Sequence, residues 1–342
     1  MRRLVACLAA FVSFGTSTSL AAHARHFYVD PTGRDDASGT SPTRAWLTVA
    51  RVNRATLRPG DTVSFRANHT FSDVPLMPRV AGANGAPIVF DSYGSGRALL
   101  RQGVVLDSIA WLTFRHLAIR GPSEGFGSGG GSGARHINII DNTISYVERA
   151  INSPNPADQD WLIARNDIYH TGDSGVIVQG SSFSIVHNRI HDTGLDRQIT
   201  YGKHGIYSKS AHVRIFDNII LNFSSEGIST RFPDARIINN IIRGGQSGIG
   251  YYRDDPSPGA TTTICGNTIS SVNDGVYIGP DGRAGPTDER FRVTQNVILA
   301  ETGRGVDAPA DRSKVKASEN YIRQAPASAI PTRLAVPCAV AS

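Results

Sequence analysis

The side chains best suited to chemistry in this sequence fall between residues 203 and 277. Lys209 and Arg231 stand 22 residues apart, and Tyr252 follows at a similar interval. A fixed arginine charge beside a lysine favours its neutral amine, which can act as a base. The arginine can pair with a carboxylate and stabilise the enolate formed when the proton α to it is removed. A tyrosine hydroxyl can then protonate a departing oxygen. Base, cation and acid together are what β-elimination next to a uronic-acid carboxylate requires. In this scheme Lys209 is the base with His204 as its alternative. Arg231 pairs with the carboxylate, and Tyr252 or Tyr207 donates to the leaving oxygen or stacks on a sugar ring. Tyr207, Glu226, Tyr251, Tyr277 and Lys203 are assigned to substrate binding.

Carboxylate pairs offer a second chemistry. Glu226 and Asp274 occupy equivalent places two repeats apart, which strand spacing puts at roughly 9.6 Å, the wide end of the range for inverting glycoside hydrolysis. Asp173 with Glu226 is a similar pair, and Asp254-Asp255 could overhang the same surface. C5-epimerisation shares the first step of elimination and differs in the face of reprotonation. A polysaccharide-binding or surface protein without catalysis is the remaining class. Zinc-type Cys/His spacing, a nucleophile elbow and a nucleotide-binding motif are all missing from the sequence.

The elements that must position these side chains come from an internal repeat. HINIIDNTI (136–144) recurs as WLIARNDI, FSIVHNRI, VRIFDNII, ARIINNII, TTICGNTI, FRVTQNVI and VKASENYI. The copies align on Asn142, Asn166, Asn188, Asn218, Asn240, Asn267, Asn296 and Asn320, each followed two residues later by Ile. Alternating apolar residues bounded by polar turns predict short strands with one buried face. A period of 22 to 30 residues without helical stretches predicts an all-β, single-stranded right-handed parallel β-helix of about 10 coils. Asn is expected to turn left-handed corners and to stack its amides from coil to coil as an asparagine ladder. A second strand per coil is marked by Gly then Ile or Val, as in KHGIYSK (203–209) and SEGISTR (225–231). In that strand Tyr207 and Lys209 alternate outward against Ile206, making Lys209, Arg231 and Tyr252 consecutive rungs of one ladder. Gly125–Gly133 reads as a flexible loop.

The chain of 342 residues divides into residues 1–24, 25–85, 86–324 and 325–342. The first has the charge, apolar run and Ala-x-Ala end of a secretory signal, so the protein is expected to be secreted, extracellular or periplasmic. Removing Arg2 and Arg3 without an acid lowers the formal net charge of +6 by two. Residues 25–85 are a cap and first strands, with one amphipathic α-helical cap expected over 42–56 and a first strand in LRPGDTVSF. Residues 86–324 are the repeats, and 325–342 a tail. Cys265 and Cys338 either staple that tail to the body or remain free thiols. Only 19% of residues are charged, and just four are lysines, which argues against a nucleic-acid clamp. No segment is long and apolar enough for a membrane span. The protein is taken as a monomer with an acidic polysaccharide as its partner.

FYVDPTGRDDASGTSP (27–42), AWLTVARVN (45–53), LRPGDTVSF (57–65) and GAPIVFDSYGSG (85–96), together with the Asn coils, resemble secreted right-handed β-helix proteins of the pectate-lyase-like superfamily. That superfamily includes polysaccharide lyases, glycoside hydrolases, uronate epimerases and phage depolymerases. The resemblance implies a carbohydrate-active enzyme, most readily a polysaccharide lyase. Its lyases acting on alginate or on chondroitin and dermatan use a Lys base and an Arg on neighbouring coils, similar to Lys209 and Arg231. They also place acidic calcium ligands shortly before the Lys. Here that segment is Tyr201-Gly202-Lys203-His204, so no metal or other cofactor is assigned, calcium being the one the resemblance would bring.

Overall fold

The computed structural model describes residues 24–121, 123–196, 198, 202–253, 260–280, 289–309, 312–326 and 328–339. The proposed signal segment, apart from Ala24, and Asp254-Asp255 lie outside them. The described strands form three long parallel sheets of twelve, eleven and nine members, and each coil between the two ends contributes one strand to each. Along the chain the order is first sheet, second sheet, third sheet, then the next coil. The solenoid begins earlier than the sequence suggests. His26–Val29 is the first strand, and Thr62–Arg66 of LRPGDTVSF pairs beside it as the second.

The interior follows from the repeat. Ile144, Ile168, Ile190, Ile220, Ile242, Ile269 and Ile298 stack as fully buried rungs of the second sheet. At full burial each such side chain contributes about 2 kcal/mol of hydrophobic stabilisation. The Gly column is tied to this one. A Cβ on Gly205 or Gly227 would sit well inside contact distance of Ile220 or Ile242 Cγ2 and of the next coil's glycine carbonyl. The Gly-Ile and Asn-x-Ile motifs are thus one packing unit. Gly125 belongs to the same column, because its Cβ would meet Ile144 Cγ2. The glycine-rich segment therefore starts as the strand Glu124–Gly127, where a flexible loop was expected.

Of the two causes expected for the Asn column, the coil-to-coil amide hydrogen bonds are present and the left-handed backbone is not at the asparagines. Left-handed backbone falls on the residue before each Asn, as at Asp141, Arg165, His187 and Asp217, with φ of 53° to 55°. The asparagines themselves close the corner by hydrogen bonding. Asn218 donates its amide N–H (2.9 Å) and its Nδ2 (3.0 Å) to Asn240 Oδ1, and Nδ2 also donates to the Ile185 carbonyl at 2.8 Å. Its own Oδ1 accepts the same pair of bonds from Asn188. Every buried corner amide is satisfied by the coil next door.

The expected cap helix over 42–56 is broken up. Pro42–Arg44 makes a single 3₁₀ turn and only Val49–Asn53 is α-helical. Asp35 accepts the N–H groups of Leu47 and Thr48, and Thr48 caps the short helix by accepting from Arg51. Trp46 is consequently extended, exchanging backbone hydrogen bonds with Tyr28 and Asp30. Its ring, with Val49 and Val52, closes the end of the core. At the other end, the disulfide Cys265–Cys338 holds the tail against the coils, with Cα atoms 6.1 Å apart.

Candidate active site on the third sheet

Along the third sheet, backbone register turns sequence offsets of one repeat into lateral contacts. Gln179 pairs with Lys209, Tyr207 with Ser229, and Tyr252 with Gly279. The Arg231 N–H donates to the Ser208 carbonyl at 2.9 Å, which continues the register and sets Arg231 beside Lys209. The outward face therefore carries Tyr207 and Lys209 on one strand, Arg231 on the next, then Tyr252, then Tyr277. All five are half-buried.

Aromatic rings hold the guanidinium. Arg231 Cζ lies 5.6 Å from the centroid of Tyr207 and 5.0 Å from that of Tyr252, so the cation sits between two ring faces of the adjacent rungs. Tyr207 stacks in turn on His204 at 5.2 Å, and Tyr252 meets Tyr277 at 5.3 Å. Ring faces on both sides hold the plane of this guanidinium in one orientation.

Beside this aromatic row runs a column at the turn that enters the sheet, formed on successive coils by residues including Arg149, His204, Glu226, Ser247 and Asp274. Glu226 is 9% exposed and His204 7%, so both are held largely from water. His204 Nδ1 lies 2.6 Å from Glu226 Oε2, a close approach that is bent away from the ring N–H direction. Ser225 donates its hydroxyl to Oε2 at 2.9 Å, and Tyr252 donates to Oε1 at 2.8 Å. Burial alone would raise the pKa of Glu226, but His204, Tyr252 and Ser225 outweigh it and hold the carboxyl down at about 2. Tyr252 responds oppositely: burial and the neighbouring Glu226 charge push its hydroxyl well above the ordinary tyrosine value. It is consequently a neutral O–H donor across the physiological range.

The other assigned residues separate. Lys203 stands at the corner before His204, in left-handed backbone with φ of 70°, and its amide donates to Asp173 Oδ1. Tyr251 is a correction. It is 1% exposed and packs edge-on to Phe291, its hydroxyl donating to the buried Glu289, so it cannot touch a substrate on this face. Its place follows from strand alternation, since Gly250 and Tyr252 point outward on either side of it. The carboxylates offered for hydrolysis are engaged too. Asp173 takes Arg149 Nε at 2.8 Å, and Asp274 takes Arg304 Nε at 3.0 Å. Sequence reasoning missed Arg149, which also reaches Glu148 at 3.0 Å and Glu124 at 3.8 Å, and it missed Ser225. Their signal was adjacency to the Gly column, where Arg149 is followed by Ala150 in place of Gly. Among the described residues no three His, Cys, Asp or Glu side chains converge as a metal-binding group. No described helix is long and apolar enough to cross a membrane.

Comparisons agree with this architecture. Residues 125–278 match the protein family described as right handed beta helix region. The fold is thus an all-β, right-handed parallel β-helix of about ten turns. A comparison with curated protein sequences finds no significant match. Among solved structures, the chain is similar to an alginate lyase from a Paenibacillus species, with 17% identity over 80% of this chain and 93% of that one, at a TM-score of 0.59. It is similar to the GH136 lacto-N-biosidase from Eubacterium ramulus, with 13% identity over 88% and 68% and a TM-score of 0.58. The A-module of a mannuronan C-5 epimerase from Azotobacter vinelandii gives 16% identity over 77% and 86%, at 0.52. Three different activities on one scaffold leave the chemistry to the side chains.

Proposed function

We propose that the protein is a secreted carbohydrate-active enzyme, a polysaccharide lyase that cleaves a uronic-acid-containing polymer by β-elimination on the outward face of the third sheet. The observation that carries this reading is Arg231 clamped between Tyr207 and Tyr252 on the rung next to Lys209. In the proposed step the Arg231 guanidinium pairs with the substrate carboxylate and stabilises the enolate formed from it. Lys209 Nζ takes the proton from C5, the C5 electron pair forms the C4–C5 double bond, and the C4–O bond breaks. Tyr252 gives its hydroxyl proton to the leaving oxygen, and exchange with solvent returns both groups to their starting forms. The Glu226 carboxylate supports this role by keeping Tyr252 protonated until then, and it orients His204 beside Tyr207. Tyr207 and Tyr277 are assigned to ring stacking, and Lys203 to the rim. The engagement of Asp173 by Arg149 and of Asp274 by Arg304 disfavours a hydrolytic pair.

The test is incubation of the protein with a panel of uronate-containing glycans while the ultraviolet absorbance of unsaturated uronate is followed. A rise in absorbance that Lys209→Ala removes is the expected result. New reducing ends without that absorbance would indicate hydrolysis. A stereochemical change at C5 by NMR without cleavage would indicate epimerisation. Binding without any product would leave a non-catalytic module.

A further inference from the structure

The first sheet presents a different outward face, and its charge is arranged in one line. Arg214 is the lateral partner of Arg236, Arg236 of Thr263, Thr263 of Arg292, and Arg292 of Lys316. With strands about 4.8 Å apart, four cations on five successive rungs span roughly 19 Å parallel to the solenoid axis. The adjacent step from Arg292 to Lys316 sets like charges directly side by side, an arrangement that costs stability in a sheet unless an anion lies across it. Arg214, Arg292 and Lys316 are exposed. The acids nearest the column, Asp234 and Asp160, sit two residues earlier at the corner and are approached by His212 at 2.7 Å and His136 at 3.6 Å. Arg214, Arg236 and Arg292 of the column line a depression of about 1030 Å³ in which Ser184 and Thr263 add hydroxyls in line with the cations.

We infer that this face is a second polysaccharide-binding surface, taking an extended uronate polyanion along the axis with its carboxylates on Arg214, Arg292 and Lys316. Linear spacing of cations along consecutive rungs suits a polymer with one carboxylate per sugar better than a compact anion. Arginine supplies the paired donors that a carboxylate accepts. The site lies on a separate sheet from Lys209 and Arg231, so it retains polymer without taking part in the chemistry. It rests on the charge column and stands whether or not elimination is the reaction.

The experiment uses immobilised polygalacturonate, with dextran as the neutral control, and an Arg231→Ala background that weakens the third-sheet groove. Binding to polygalacturonate is expected to persist in that background and to weaken with added salt. Adding Arg214→Gln and Arg292→Gln should lower affinity about tenfold, the effect of removing two exposed ion pairs, with an unchanged circular dichroism spectrum. Unchanged affinity in the triple variant, or equal binding to dextran, would overturn the inference. Elimination measured separately on short soluble oligomers, with Arg231 intact, should be unaffected by the two Gln substitutions. Absence of elimination with the column still binding would sink the lyase reading alone.

Discussion

Two of the polar columns along this solenoid obey opposite rules. The corner column repeats one residue, with Asn at every coil from 142 to 320, and each amide is spoken for by its neighbour. The column entering the third sheet changes residue at each coil, through Arg149, His204, Glu226, Ser247 and Asp274. Its central pair, His204 and Glu226, is held by partners borrowed from beside it, Ser225 and Tyr252. Identical residues on identical turns let hydrogen bonds propagate, so that column is scaffold. Where the repeat is interrupted by ionisable groups and aromatic rings, packing alone does not explain the choice, and chemistry becomes the better account.

The largest expected effect separates the two columns by function. Lys209→Ala should cut elimination by about 10²- to 10⁴-fold, the usual loss for removing a proton-transfer group, while moving the denaturation midpoint little. Steady-state rates and urea unfolding on the same sample check both halves. Asn218→Ala should do the reverse. It strips the acceptor from two Asn188 donors in a fully buried corner, and an expected loss of about 3 kcal/mol would be read from urea unfolding. If Asn218→Ala proved as stable as the parent, the division between scaffold and site would fail.

Acid sharpens the contrast, because the Asn column does not titrate. Glu226 is held at about 2 against an ordinary 4.5, so the folded state binds its proton less tightly than the unfolded chain. The stability it adds is present above about 4.5 and is lost as pH falls toward 2. Its full size is about 3 kcal/mol. Glu226→Gln should flatten this limb in thermal unfolding scans between those values, and an undiminished acid limb would count against the His204–Glu226 pair. The smallest effect is expected of Tyr252→Phe. It keeps the ring against Arg231 and removes only the bond to Glu226, costing about 1 kcal/mol of stability. Elimination should fall at least tenfold if that hydroxyl protonates the leaving oxygen. Unchanged turnover would transfer the acid role to another group.

Much of the scaffold is legible in the sequence because a solenoid converts periodicity into neighbourhood. The Ile and Asn columns, the Gly column from residue 175 onward and the lateral order of Lys209, Arg231 and Tyr252 all follow from counting one repeat per coil. Legibility failed where periodicity gave way to local competition. Residues 42–56 carry a helical apolar pattern, yet Asp35 and the extended Trp46 divide them. Tyr251, assigned to substrate binding, is turned inward onto Glu289 by the alternation of its strand.

By itself the sequence determined the repeat, the buried rungs and which coils bear ionisable groups, since those depend only on residue type and spacing. Tertiary structure alone decided that His204 finds Glu226, that Tyr252 closes on the same carboxylate and that Arg231 is clamped by two rings. Those contacts join side chains of different coils through rotamers and corner geometry, which periodicity does not encode. The same holds for Cys265 and Cys338, 73 residues apart, whose pairing waits on where the tail lies across the coils.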